Sequence, residues 1–321
     1  MNLFGEDIRT DLMRLHSQTG NLTAPNICYV GNKQGIVGQL VYTFPECEHF
    51  LDACCGGGSV GYSMLTYGRA KNITLNDIHK PLIDLHKALL SGEHDINFEN
   101  PEWCSREQFF ISQDRIKNGN YTVKDVLYAY VFGFGNDART YAYSRELEPY
   151  KKSIHQTICG TTLNERKQGF AKCIRYLNKI ENFNDTMTFR GIDNLKRLQN
   201  LENIKSLQSL QSLQSDCINF MNMDIYEIDY SPYDCVYFDI PYETKDTKLA
   251  YYGVSFDHAK FWDFFMSLPN LAYASSYKAP DFVPIIKEID KRVTYSANNK
   301  NSMMQKGIEK VYTNKSKTLK N

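Results

Sequence analysis

Four short apolar runs, each closed by a polar residue, constrain the fold of this 321-residue chain more than any other feature. They are His49-Phe50-Leu51-Asp52, Ile73-Thr74-Leu75-Asn76-Asp77, Asp234-Cys235-Val236-Tyr237-Phe238-Asp239 and Leu271-Ala272-Tyr273-Ala274-Ser275. Runs this short and this apolar are expected as buried strands with polar carboxyl ends. Helical stretches follow three of them, at Val60 to Thr66, Pro81 to Ser91 and Ala259 to Met266. Such alternation predicts an α/β domain with helices on both faces of a sheet and ligands beyond the carboxyl ends of its strands. From about Gly92 to Leu198 the alternation breaks, and a mostly helical insertion is expected. Behind it, Lys205 to Ser215 repeats Ser-Leu-Gln, with Leu195, Leu198, Leu201 and Ile204 continuing the every-third spacing upstream. A helix would carry such a stripe around its surface, so the segment reads as a connector.

Composition narrows the class. Lys+Arg and Asp+Glu are 37 each, and 42% of residues are apolar. That excludes a generally basic surface and a disordered chain. No apolar stretch reaches the roughly 18 residues of a membrane span. Met1 to Asp7 carries acids where an export signal would be basic, and nine Cys is an odd count, so a reduced, cytoplasmic setting is expected. The charge is uneven. Arg139 to Lys179 holds nine bases against three acids, whereas Asp216 to Asp246 holds eight acids against one base. That division suits one surface meeting phosphate and another surrounding a cationic ligand, though solvated helix faces would give it too.

The chemistry concentrates at the strand ends. After Phe50-Leu51-Asp52 come Ala53-Cys54-Cys55-Gly56-Gly57-Gly58-Ser59-Val60-Gly61, a strand, an acid and a glycine turn opening a helix. No Gly-Lys-Ser/Thr follows, so this is a nucleotide-type loop and not a phosphate-cradling one. About twenty residues on, Asn76-Asp77 ends the next strand, where an acid is placed for ribose hydroxyls. His79, His155 and His258 lack metal-ligand spacing with Cys, so no metal is expected.

The tetrad Asp239-Ile240-Pro241-Tyr242, joined to the glycine loop, resembles the Asp-Pro-Pro-Tyr signature of S-adenosylmethionine-dependent amino-methyltransferases. The nearest resemblance is to Dam-type (class alpha) DNA adenine-N6 methyltransferases of phage and prophage kind. Further motifs carry it across nearly the whole chain. Tyr29-Val30-Gly31-Asn32-Lys33 is similar to that family's N-terminal cofactor motif, and Phe220-Met221-Asn222-Met223-Asp224 to the motif whose acid lies near the cofactor's adenine. Ala274-Ser275-Ser276-Tyr277 resembles a later strand end, and Glu309-Lys310-Val311-Tyr312-Thr313-Asn314 the closing strand. Phe132 to Asn136 and Tyr143 to Lys152 resemble the family's recognition domains. Two departures stand out. Ala53 and Cys54 replace Pro and Phe, losing an aromatic wall, and Ile240 replaces the first Pro of the tetrad while still supplying a backbone carbonyl.

The resemblance implies a Rossmann-like methyltransferase domain formed by 1–91 and 216–321, with a DNA target-recognition insertion and connector over 92–215. It implies adenine-N6 methylation by Asp239, Ile240, Pro241 and Tyr242 on a flipped base, the Tyr242 ring face doing the stacking. Tyr29, Lys33, Asp52, Gly56, Gly58, Asp77, Asp224 and Asp239 would bind S-adenosylmethionine, and Tyr251-Tyr252 stand where the family often has an aromatic covering the site, with core packing the equal alternative. Arg139, Arg145, Lys151 and Lys152 would contact double-stranded DNA. A bacterial or phage-encoded cytoplasmic protein, a monomer or weak dimer, would follow, with a cognate restriction nuclease left open as a partner. An RNA adenine methyltransferase and a catalytically silent DNA-binding relative are the alternatives.

Overall fold

A computed structural model describes residues 26–179, 204, 207–242, 256–293 and 305–315. Met1 to Asp7, Leu195 to Leu201 and Tyr251-Tyr252 lie outside the described residues. The chain divides into two compact units. One comprises Asn32–Ile83 with Gln214 onward, the other Asn26–Gly31 with Asp84–Leu213.

The first unit carries a seven-stranded sheet in the order β3-β2-β1-β4-β5-β7-β6, flanked on both sides by helices. Its strands are β1 (Cys47–Asp52), β2 (Ala70–Asn76), β3 (Ile218–Met221), β4 (Cys235–Asp239), β5 (Leu271–Ser276), β6 (Ile285–Val293) and β7 (Gln305–Thr313). The first five are mutually parallel, and β7 runs antiparallel to both β5 and β6. Chain order reverses between β1 and β4, and ligands of open α/β sheets bind beyond the carboxyl ends of strands at such a reversal.

The central strands form for the reason their sequence suggests. Phe50, Leu51, Val236, Tyr237, Phe238 and Ala272 are fully buried, as expected of strands covered on both faces. Short helix α1 (Val37–Val41) and α2 (Ser59–Thr66) belong to this unit, as does α8 (His258–Ser267). Helix α8 begins where the Asp257 side chain accepts the Lys260 amide at 3.0 Å. It buries Phe261, Trp262 and Phe265, and Phe238 meets Phe261 at 5.5 Å between ring centroids. Helix α2 follows a turn in which Gly56 and Gly58 hold φ of 49° and 77°, values a side chain would strain. Gly61 is required for a different reason. A Cβ there would lie 2.3 Å from Leu75 Cδ2, so the helix could not approach β2 so closely.

Helix α3 (Lys80–Ser91) spans the boundary between the units, and the second unit is helical beyond it: α4 (Arg106–Lys117), α5 (Val123–Val131), α6 (Glu148–Cys159) and α7 (Leu163–Lys179). A capping box starts α5, the Thr122 hydroxyl accepting the Asp125 amide while the Asp125 carboxylate accepts the Thr122 amide. Asp125 is itself buried and also accepts the Ser112 hydroxyl at 2.7 Å, which ties α4 to α5. The described part of the Ser-Leu-Gln repeat forms a 3-10 turn, Gln208–Ser212, and buries Leu207 and Leu210.

Candidate active site

Asn76 organises the strand ends. Its amide, fully buried, donates to the carbonyls of Ala53 at 2.9 Å and Met223 at 3.1 Å and accepts the Met223 amide at 2.9 Å. One side chain thus stitches the turn after β1 to the turn after β3. Asp77 continues the same work. Its carboxylate accepts the amides of Gly56 at 3.0 Å and His79 at 2.9 Å, and Asn222 donates to the carbonyls of Asp77 and Ile78. The expected ribose ligand is therefore already a clamp on the glycine loop, with lone pairs remaining. Burial pushes the Asp77 carboxyl up from its ordinary range, against the pull of those two amides.

Asp52 is 1% exposed and accepts the Gly61 amide at 2.9 Å, while its Oδ1 atom is buried with no hydrogen-bond partner. Burial raises its carboxyl to about 8, helped by the nearby charges of Asp239 and Asp77 and opposed by Gly61 N–H and Lys33. Asp52 is thus largely protonated at neutral pH, which removes one negative charge from a crowded site. Ala53 lies in the core, and Cys54 packs against it partly buried where the resemblance has an aromatic wall. Burial pushes the Cys54 and Cys55 thiols well up, so both are protonated.

At the end of β4, four residues meet. The Lys33 ammonium, 2% exposed, lies 2.6 and 2.5 Å from the two carboxylate oxygens of Asp239. It is also 3.8 Å from Glu309 on β7 and 5.0 Å from the centroid of the Tyr242 ring. The Tyr242 hydroxyl donates to Glu309 Oε1. Burial, with Asp239 and Glu309 close by, pushes that phenol well above its usual range, so it remains a donor. Lys33, an expected cofactor ligand, here pairs with the catalytic candidate Asp239. Ile240 is buried, and the Pro241 carbonyl accepts the His258 ring N–H at 2.8 Å, pinning the turn to α8. Tyr277, just past β5, stands 4.5 Å from the Tyr242 ring.

The remaining expected site residues are spread more widely. Asp224 is exposed beyond β3, its Oδ1 accepting the Tyr226 amide at 3.1 Å. Tyr29 belongs to the second unit, where its ring packs 5.4 Å from Tyr130. Arg139, Arg145 and Lys152 are exposed, Arg139 lying 3.3 Å from Asp137. Lys151 requires a correction. Its side chain is 4% exposed within α6, and burial lowers its ammonium to about 8. A lysine held inside its own unit cannot reach a phosphate, so it leaves the DNA-contact set.

Sequence reasoning assigned no role to Glu309, His258 or Tyr277. The signal for Glu309 was weak, because an acid flanked by Lys310 in a strand reads as solvated.

The model of one protein family, D12 class N6 adenine-specific DNA methyltransferase, matches residues 29–279, more than three-quarters of the chain. The chain belongs to that family. It is an α/β DNA adenine methyltransferase, and the matched span runs from the Tyr29-to-Lys33 motif past the Asp239 tetrad to Ala279. Among the described residues, no helix is long and apolar enough to cross a membrane.

Proposed function

We propose that the enzyme transfers a methyl group from S-adenosylmethionine to the N6 amine of an adenine flipped out of a specific duplex DNA sequence. The observation that carries this reading is the gathering of Lys33, Asp239, Tyr242 and Glu309 at the end of β4, whose neighbour β1 ends in Asp52 and the glycine loop. Two carboxylates, Asp239 and Glu309, face one cation, Lys33, leaving a surplus of negative charge suited to a sulfonium ligand and to an amine that becomes positive as it reacts.

The residues present fit that cofactor. The side-chain-free turn at Gly56 to Gly58 permits close approach, Asp77 borders it, and Asp52 Oδ1 is a buried polar atom without a hydrogen-bond partner, left for a ligand. S-adenosylmethionine, when bound, supplies an electrophilic methyl on a positively charged sulfur. An adenine amine is a poor nucleophile because its lone pair is delocalised into the ring. The Asp239 carboxylate and the Ile240 carbonyl would accept its two hydrogens, localising the lone pair and stabilising the charge that develops. Holding amine and methyl in line supplies much of the remaining rate. The Tyr242 ring offers a stacking face for a base taken out of the duplex.

The insertion over 92–215 would read the DNA, with Arg139, Arg145 and Lys152 on phosphates and base edges. Affinity for duplex should then fall steeply with salt, and Lys152→Ala should weaken all sequences alike. A filter-binding series showing salt-independent affinity would remove the insertion from the DNA interface. Asp77→Ala should weaken cofactor binding about 10- to 150-fold, the worth of a charge-assisted hydrogen bond, in calorimetry. Unchanged affinity there would take Asp77 out of the cofactor site.

Incubation of the protein with methyl-labelled S-adenosylmethionine and either plasmid or RNA tests the reaction itself. Label in plasmid alone supports this reading. Label in RNA alone would transfer the same chemistry to the rival substrate, and label in neither would favour the silent relative.

A further inference from the structure

Glu309 is fully buried, sits on a strand that is not β4's neighbour, and touches two members of the site. A carboxylate without exposure is costly unless cations and donors surround it, so its placement needs a reason. β7 pairs with β5 so that Lys310 faces Ser276 and Val311 faces Ser275. Glu309 is the next residue along β7, beyond the carboxyl end of β5, where Tyr277 also emerges. From there its carboxylate accepts the Tyr242 hydroxyl and lies 3.8 Å from the Lys33 ammonium.

We propose that Glu309 is a positioning residue for methyl transfer, fixing the Tyr242 ring through its hydroxyl and the Lys33 ammonium through its charge. The inference rests on the function proposed above and deepens it. Tyr242 has two torsions, and stacking alone would leave its ring free to swing. The bond to Glu309 fixes the ring's far end, while the His258 bond to the Pro241 carbonyl fixes its backbone. Both short bonds of the Lys33 ammonium go to Asp239, and Glu309, 3.8 Å away, offers that cation a second acid to lean on when the amine takes up the Asp239 oxygens. The hydroxyl that stacking would leave dispensable thereby becomes part of the site.

The test uses the full chain with Tyr242→Phe, Glu309→Gln and the double variant, measuring kcat and KM for duplex DNA and calorimetric affinity for S-adenosylmethionine. Tyr242→Phe should lose about 10- to 100-fold in kcat/KM for DNA, in keeping with a hydrogen bond to a charged group, with cofactor affinity within about twofold of wild type. Glu309→Gln, which keeps an acceptor for the hydroxyl but not the charge beside Lys33, should lose activity and shift the pH profile. The double variant should be no worse than the product of the singles and measurably better, because Glu309→Gln weakens, by removing its charge, the same hydroxyl-to-carboxylate bond that Tyr242→Phe abolishes. Wild-type kcat/KM in Tyr242→Phe, or full additivity in the cycle, would overturn the proposal; so would a uniform loss of cofactor affinity. If Glu309→Gln fails to fold, Tyr242→Phe alone still decides, since it removes a single oxygen. An inactive wild type would instead refute the proposed reaction, a separate and recognisable result.

Discussion

Asp239→Ala is expected to lose about 10²- to 10³-fold in kcat, the usual worth of one acceptor or donor aimed at developing charge. Its carboxylate stands at the end of β4 and is bonded through both oxygens to Lys33. Removing it leaves the Lys33 ammonium, 2% exposed, with Glu309 as the nearer remaining acid. Folding should suffer less than catalysis, because Asp239 is the one partly exposed residue of an otherwise buried strand. Single-turnover assays would separate the two effects. A variant that still binds DNA and cofactor but transfers methyl slowly is the expected outcome, and unchanged kcat would remove Asp239 from the chemistry.

Asn76→Ala should produce the largest loss of stability among the site residues. It strands the Ala53 carbonyl and both backbone groups of Met223, all three held by one amide with no exposure. Each buried group left without a partner costs on the order of 1–3 kcal/mol, less whatever water recovers. Because the amide joins the turns after β1 and β3, the glycine loop should loosen along with the fold. Denaturant unfolding should show a lowered midpoint with an unchanged slope, and cofactor affinity should fall in the same variant. A midpoint equal to wild type would mean that the backbone groups find other partners.

Much of the fold was legible because the central parallel strands are nearly continuous apolar runs, and four of them stand out in the chain without any pairing information. β6 was not read. Ile285 to Val293 mixes Lys287, Glu288, Asp290, Lys291 and Arg292 among its apolar residues, and it is defined by pairing with β7. Its position at the sheet edge explains that composition. The site followed the same division. Asp52, Asp77 and Asp239 lie at strand ends, where local sequence announces them, and the glycine loop between them needs the positive φ that glycine supplies. Glu309 depends on a long-range contact that places an acid of β7 under a tyrosine sixty-seven positions earlier. Lys151 failed in the opposite direction. Adjacent Lys151 and Lys152 look alike in sequence, but about 100° of helical rotation separates them, and α6 turns Lys151 inward together with His155.

DNA from a cell that expresses the protein gives the most direct test of adenine methylation. Wild type and Asp239→Ala should be expressed in a host lacking adenine methylation, and the host DNA read by modification-sensitive sequencing. N6-methyladenine confined to one short sequence with wild type, and near background with Asp239→Ala, is the predicted result. Unmodified adenine in both, from folded protein that still binds duplex DNA and S-adenosylmethionine, would contradict it.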